Sequence, residues 1–329
     1  MDFTLSPDQE LLRDTARQLL QRECPTTLLR AHIEDPAAAD SLWHHLRDFA
    51  ALGDGPLTDL CVFLEEGGYV AAPGPFFPTV ALFAPVVAAA GHELLAPALA
   101  GEITGTVAVA GADGIWTAND DHVKTFVPEA DRVDWVAVVS AGPAVTLVQS
   151  PQTRSVATVD FSRRFFEVDP GSGSRPAQSI DPEAFESVLE RGTIALAAEM
   201  VGTARRLFDM TLAYAKERVQ FDVPIGSFQA LQHKLADMAL DLERATSAVA
   251  YAAMAVDAKD ADRHRAAHVA KAAAGAAATR AAKDGIQIHG GIGYTWEHDL
   301  HLFIRHAYGS EAWMGTGAWH HDRLADLLL

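Results

Sequence analysis

The stretch SFQALQHKLADMALDLERA, residues 227–245, repeats apolar side chains at Phe228, Leu231, Leu235, Met238, Leu242 and Ala245, in steps of three and four. Such steps track the turn of an α-helix, about 3.6 residues, so these side chains form one stripe along a long helix. The stripe has to be buried against another element. The stretch RHRAAHVAKAAAGAAATRAAKDGIQI, residues 263–288, reads as a second long helix, so rich in alanine that another helix can approach it closely.

Toward the N-terminus the texture changes. Between Thr104 and Val168 the segments TGTVAVAG, HVKTFVP, WVAVVS, AVTLVQS and SVATVDF are short, rich in Val and Thr, and separated by Gly, Pro, Asp and Ser, as antiparallel strands are. Residues 169–183, DPGSGSRPAQSIDPE, read as a flexible linker out of that β unit. Before residue 100 the pattern is helical again. Leu11, Leu12, Ala16, Leu19 and Leu20 follow a cap at Ser6 and a first-turn Pro7. Further helices are expected at Ser41–Leu52, Leu57–Tyr69 and Thr79–Ala89, punctuated by GDGP and AAPGPFFP. This order predicts an α+β fold with a helical domain over 1–102, a small antiparallel β domain with its linker over 103–182, and a long-helix bundle over 183–329.

The 329 residues exceed one simple core. A net charge of −18 repels nucleic-acid phosphates and anionic membranes, so neither is expected as a partner. It does not exclude a local anion site built from a few arginines and helix N-termini. No apolar run approaches the roughly 20 residues that span a bilayer. The opening MDFTLSPDQE has neither a basic start nor an apolar signal core, and Cys24 and Cys61 are the only cysteines, so a reducing cytoplasm is expected, with both thiols buried. No metal site is expected: the pairs His44–His45 and His320–His321 point in divergent directions on a helix, with nothing at ligand spacing to complete a site. Trp296, Trp313 and Trp319 read as core or interface aromatics.

Two stretches carry chemistry. AKERVQFDVPIGSFQALQHKLADM, residues 215–238, ends one helix, crosses a Pro-Ile-Gly turn and opens another near Ser227, read as its N-cap. A helix N-terminus with Arg218 upstream suits an anion, although a capped helix hairpin with a surface arginine would read the same way. GIQIHGGIGYTWEHDLHLFIRHA, residues 285–307, holds a GGIG run that lets backbone approach a ligand or a neighbouring helix. Without a βαβ context it is no dinucleotide fingerprint.

In this order and spacing the two stretches resemble the acyl-CoA dehydrogenase family, whose chains carry an R-x-x-F-G block with F-Q, then a Q-x-x-G-G-x-G block. The opening MDFTLSPDQELLRDTARQLL, the segment LTDLCVFLEEGGYVAAPGPFFPT and the α, β, α order agree with it. The resemblance implies a flavoprotein acting on an acyl-CoA, with electron-transfer flavoprotein as the expected electron partner. It implies that Arg218 meets the FAD pyrophosphate, that Gln220, Phe221, Phe228 and Gln229 line the cofactor, and that Gln287, Gly290 and Gly291 serve the adenosine side of a neighbouring subunit's FAD. Guanidinium suits the first task because it is permanently charged and forks onto two oxygens. Asp222 departs from the pattern, standing where the motif has Gly.

The reaction implied needs a carboxylate to take the α proton. Counting from Arg305 along RHAYGSEAWMGTG places Met314 at the position where most members carry that Glu, and counting back from Arg218 places Gly192 at the alternative position. A thioether takes no proton from carbon at neutral pH. Glu190 and Glu199, two residues before and seven after Gly192, are read as pointing elsewhere, and Glu311 as solvated or capping. The stretch VAVAGADGIWTAND lacks the flavin-facing T-E-P-x-A-G-S-D pattern of the family, whereas HVKTFVPEAD corresponds to its K-x-W/Y-I-T-N stretch. These losses resemble the short subunits that pair with a full-length relative in α2β2 assemblies of actinobacterial steroid side-chain catabolism. The expectation is a subunit without its own base that helps hold FAD at an interface with such a partner. Two alternatives stay open: a self-sufficient flavoenzyme of other, monooxygenase-like chemistry, and a catalytically silent assembly protein.

Overall fold

The computed structural model describes residues 3–171 and 178–329; the centre of the expected 169–183 linker lies outside them. Helices run α1 (Pro7–Glu23), α2 (Thr26–Glu34), α3 (Asp40–Leu46), α4 (Leu57–Val70), α5 (Ala84–Ala89) and α6 (Leu95–Leu99). Strands follow: β1 (Gly105–Ala108), β2 (Lys124–Pro128), β3 (Trp135–Ser140), β4 (Ala144–Val148), β5 (Gln152–Val156), β6 (Phe165–Asp169) and β7 (Gln178–Ser179). The C-terminal part holds α7 (Pro182–Glu217), the hairpin β8 (Val219–Gln220) and β9 (Val223–Pro224), then α8 (Gln229–Asp257), α9 (Arg263–His289), α10 (Leu300–Ala312) and α11 (Gly317–Leu328). This is the α+β architecture expected. Among the described residues no helix is long and apolar enough to cross a membrane.

The chain divides into two compact units, neither of them one continuous stretch: Met1–Thr26 with Cys61–Ala72 and Leu196–Leu329, and Thr27–Leu60 with Pro73–Ala195. In the first, the stripe on α8 buries Leu235, Met238 and Ala245, with Leu231 and Leu242 half-buried, and α8 packs along the alanines of α9. The N-terminal α1 opens on a complete capping box, with Gln9 N–H donating to Ser6 Oγ and the Gln9 side chain accepting from Ser6 N–H. Ala16 and Leu20 are buried, but Leu11 lies off the stripe and is exposed. Two glycines set the crossing of α4 and α7: a Cβ on Gly68 would sit 1.8 Å from Glu199 O, and one on Gly202 1.9 Å from Glu65 O. Beside them, buried Glu66 accepts from both Arg17 and Arg205. Cys24 and Cys61 are both buried, and burial pushes the Cys24 thiol up to about 12.

In the second unit, one sheet has the order β1-β3-β4-β7 and the other β2-β6-β5. Pairing is antiparallel except between β1 and β3, which run parallel. Ala108, Val127, Val136, Val138, Val148, Phe166 and Val168 form a common core. Strand β6 (FFEVD) was not foreseen, although its Phe and Val residues favour a strand. The strand expected over SVATVDF instead ends at Val156, and Asp160 is buried with its carboxylate bonded to Ser162. The helix expected at Thr79–Ala89 opens as a π-helical turn, Pro78–Phe83, and that expected at Ser41–Leu52 passes into a 3-10 helix at Arg47. Thr79 Oγ1 bonds both the N–H and the carbonyl of Gly105, and a Cβ on Gly105 would meet the Phe83 ring at 2.3 Å. Glycine is therefore what seats β1 on this turn.

Candidate functional site

The sequence-predicted cofactor residues gather at one end of the bundle in the first unit. The Tyr214 ring stacks on His289 at 4.4 Å, and Lys234 pairs with Asp284 at 2.5 Å. These contacts bring the end of α7, the start of α8 and the end of α9 together. Tyr214 lies four residues before Arg218, and His289 two after Gln287, so the two sequence blocks meet. Arg218, Gln220, Phe221, Phe228, Gln229 and Gln287 are all exposed there.

Local geometry explains the odd members of the first block. Phe221 (φ 55°) and Asp222 (φ 65°) form the two-residue tip of the β8–β9 hairpin, where both positions need a left-handed backbone. That conformation costs a non-glycine residue about 1–2 kcal/mol. It accounts for the Gly that the resembling motif carries at this position, and Asp tolerates it better than most residues. Phe221 is 87% exposed, and its ring meets Phe228 edge-on at 6.2 Å. The expected cap at Ser227 is corrected: Ser227 sits in a 3-10 turn and its hydroxyl donates to Pro224 O, leaving α8 with Phe228 as N-cap and no side-chain cap bond. The first amides of α8 therefore present their positive dipole end without a side-chain competitor.

Gly290 adopts φ 63° at the end of α9, and a Cβ built on either Gly290 or Gly291 would meet nothing within 4 Å. The second block thus ends on open backbone. An exposed guanidinium, an uncapped helix start, exposed aromatic faces and open glycine backbone suit a pyrophosphate and an adenine group. In the loop after β1, Asn119 Nδ2 donates to Val109 O and Thr117 O, buried Lys124 bonds Asn119 O and Oδ1, and Asp121 accepts from Ala112 N. These bonds tie the loop to itself and to the start of β2.

Met314 lies between α10 and α11, 5% exposed, with φ 58° and followed by Gly315 at φ 98°. Four hydrogen bonds fix this turn. Lys271, wholly buried in α9, donates to Glu311 O (3.0 Å) and Gly315 O (2.9 Å). His320 Nε2 bonds Met314 O (3.2 Å), and Glu311 Oε1 accepts from Gly317 N (2.9 Å), which is a capping role. Lys271 was overlooked in the sequence, yet a signal was there: it falls on one helical stripe with the buried Ala267, Ala274 and Ala278. Of the adjacent pair, His320 is buried and His321 exposed, as divergent directions require.

Gly192 is buried within α7, and Glu190 is half-buried. The reading of Glu199 is corrected: seven residues are nearly two helical turns, so it projects from almost the same face as position 192. Glu199 is itself buried, with Oε1 3.1 Å from His306 Nε2. The second unit holds a cavity of about 590 Å³ lined by His32, Trp43, Arg47, Glu129 and Arg132 among others, none of them a sequence-predicted site residue. Burial raises the Glu129 carboxyl to about 7, outweighing Arg164 3.7 Å away.

Residues 183–329 match the family model described as acyl-CoA dehydrogenase, C-terminal domain. The chain is 32% identical over 320 residues to acyl-CoA dehydrogenase IpdE2 of Mycobacterium tuberculosis, covering 94% of this chain and 93% of that relative. Among solved structures it is similar to the Tcur3481-Tcur3483 steroid ACAD G363A variant, with TM-score 0.87 and 27% identity over 99% of this chain and 98% of that one. The ChsE4-ChsE5 complex from Mycobacterium tuberculosis shares the fold, with TM-score 0.86 and 23% identity over 100% of this chain and 99% of that one.

Proposed function

Since the chain belongs to the acyl-CoA dehydrogenase family, we propose that it is a subunit that helps hold FAD at an interface with a full-length relative and leaves α-proton abstraction to that partner. The observation that carries this reading is a contrast within one chain. The residues suited to pyrophosphate and adenosine gather exposed at one end of the bundle, whereas position 314 is a buried thioether. Flavin, when bound, accepts hydride from the substrate's β carbon. This chain's part is to bind and orient: Arg218 and the α8 amides meet the phosphates, Phe221 and Phe228 supply aromatic faces, and Gln287, Gly290 and Gly291 offer open backbone and an amide.

The two-component name of the Tcur3481-Tcur3483 steroid ACAD supports a paired assembly with a steroid acyl-CoA as substrate class, and an α2β2 arrangement is part of the same proposal. Electron-transfer flavoprotein is the proposed electron acceptor and the cytoplasm the proposed site of action. A buried thioether at 314 and a glycine at 192, in place of the carboxylates the family carries there, favour a shared flavin over a self-sufficient one.

The test is the ratio of bound flavin to polypeptide, read from the visible spectrum. The chain purified alone is expected to carry little flavin, rising to about one per pair of chains on co-expression with a full-length relative. Near one flavin per chain for the protein alone would overturn the proposal in favour of a self-sufficient flavoenzyme.

A further inference from the structure

The turn between α10 and α11 is held far more tightly than a surface connection requires. We propose that Lys271 and His320 are positioning residues that clamp its backbone, so that the side chain of residue 314 is presented from one fixed point. Lys271 reaches from α9 with no exposed surface and places its ammonium between Glu311 O at 3.0 Å and Gly315 O at 2.9 Å, on either side of residue 314. Glu311 O is among the last carbonyls of α10, which have no partner within the helix and carry its negative dipole end. The third carbonyl, Met314 O, accepts from His320 Nε2 at 3.2 Å.

That bond fixes the tautomers. With its proton on Nε2, His320 has a lone pair on Nδ1, and His268 Nδ1 lies 2.8 Å from it, so His268 donates. Burial, Lys271 and His268 hold His320 down at about 3, which keeps the ring neutral and able to accept. Gly315 closes the device: a Cβ there would lie 2.7 Å from Trp319 Cε3 and 3.0 Å from His320 Nε2. Carbonyls 311, 314 and 315 are thus all held by buried donors, at a turn where Met314 and Gly315 both have positive φ.

The clamp lies within this chain and is independent of flavin. The measurement is methionine-methyl NMR of the full chain, with the Met314 signal assigned by Met314→Leu and Met238 on α8 as a distant control. In Lys271→Met and in His320→Leu the Met314 methyl is expected to move toward the position of a free side chain and to broaden, with Met238 unchanged. His320→Gln, whose amide can still donate to Met314 O, is expected to restore most of the shift. An unmoved Met314 signal in both folded variants overturns the clamp. So does a Met238 signal that moves equally, or failure of both variants to fold, because residues that position one turn are not needed by the rest of the chain.

Discussion

Single residues in this protein give opposite responses to pH. His320 is held at about 3 against an ordinary 6.5, by burial first and then by Lys271, His268 and His321. A histidine with a lowered folded value contributes its full stability above 6.5, and loses it as the pH falls toward 3, because only the unfolded chain then takes the proton. The slope is at most about 1.4 kcal/mol per pH unit. His320→Gln is therefore expected to flatten the loss of stability between pH 6.5 and 5, as read from urea unfolding at a series of pH values. Glu129 behaves inversely, with a folded value of about 7 against 4.5. Its stability is complete below 4.5 and is lost as the pH rises through 7, since the ionised carboxyl is disfavoured in its buried site. Glu129→Gln should retain an acceptor for Arg164 N and remove that alkaline decline. The same unfolding series checks it, and an unchanged difference between pH 5 and 8 would count against the raised value.

At the level of elements, the α4–α7 crossing is the most sensitive contact. Gly202→Ala places a methyl 1.9 Å from Glu65 O, a backbone atom that cannot move without its helix. Overpacking of this kind costs about 1–3 kcal/mol and sometimes more, so a loss of about 3 kcal/mol is expected in chemical denaturation, with Gly68→Ala similar. An effect below about 1 kcal/mol would show that the helices separate easily. Most elements were legible because their signals are local: the stripe of α8, the capping box of Ser6 and Gln9, and the Val-rich strands β1, β3 and β4. Those misread had competing local chemistry. Ser227 matches an N-cap by type, but its hydroxyl turns back to Pro224 O. SVATVDF has strand composition, but Asp160 bonds Ser162 and ends the run.

For the whole molecule, the decisive property is whether flavin is retained in an assembly rather than by the chain alone. Arg218→Ala removes an exposed guanidinium whose backbone N–H continues the α7 ladder to Tyr214 O. It is expected to strip most flavin from the co-expressed complex while leaving the melting temperature of the isolated chain within about 2 °C, as surface substitutions do. A complex that keeps its flavin would remove Arg218 from the cofactor contacts.

The amino-acid sequence alone determined the helical, β and long-helix order, the family resemblance and the identity of the residue at 314, because periodicity, turn chemistry and motif spacing are properties of neighbouring residues. It did not determine that β1 runs parallel to β3, that Tyr214 stacks on His289 to unite the two blocks, or that Lys271 and His320 hold the turn at Met314. Apart from the His320 bond, which closes within its own turn, those contacts join residues far apart in the chain, and only packing decides which buried carbonyl a lysine will find.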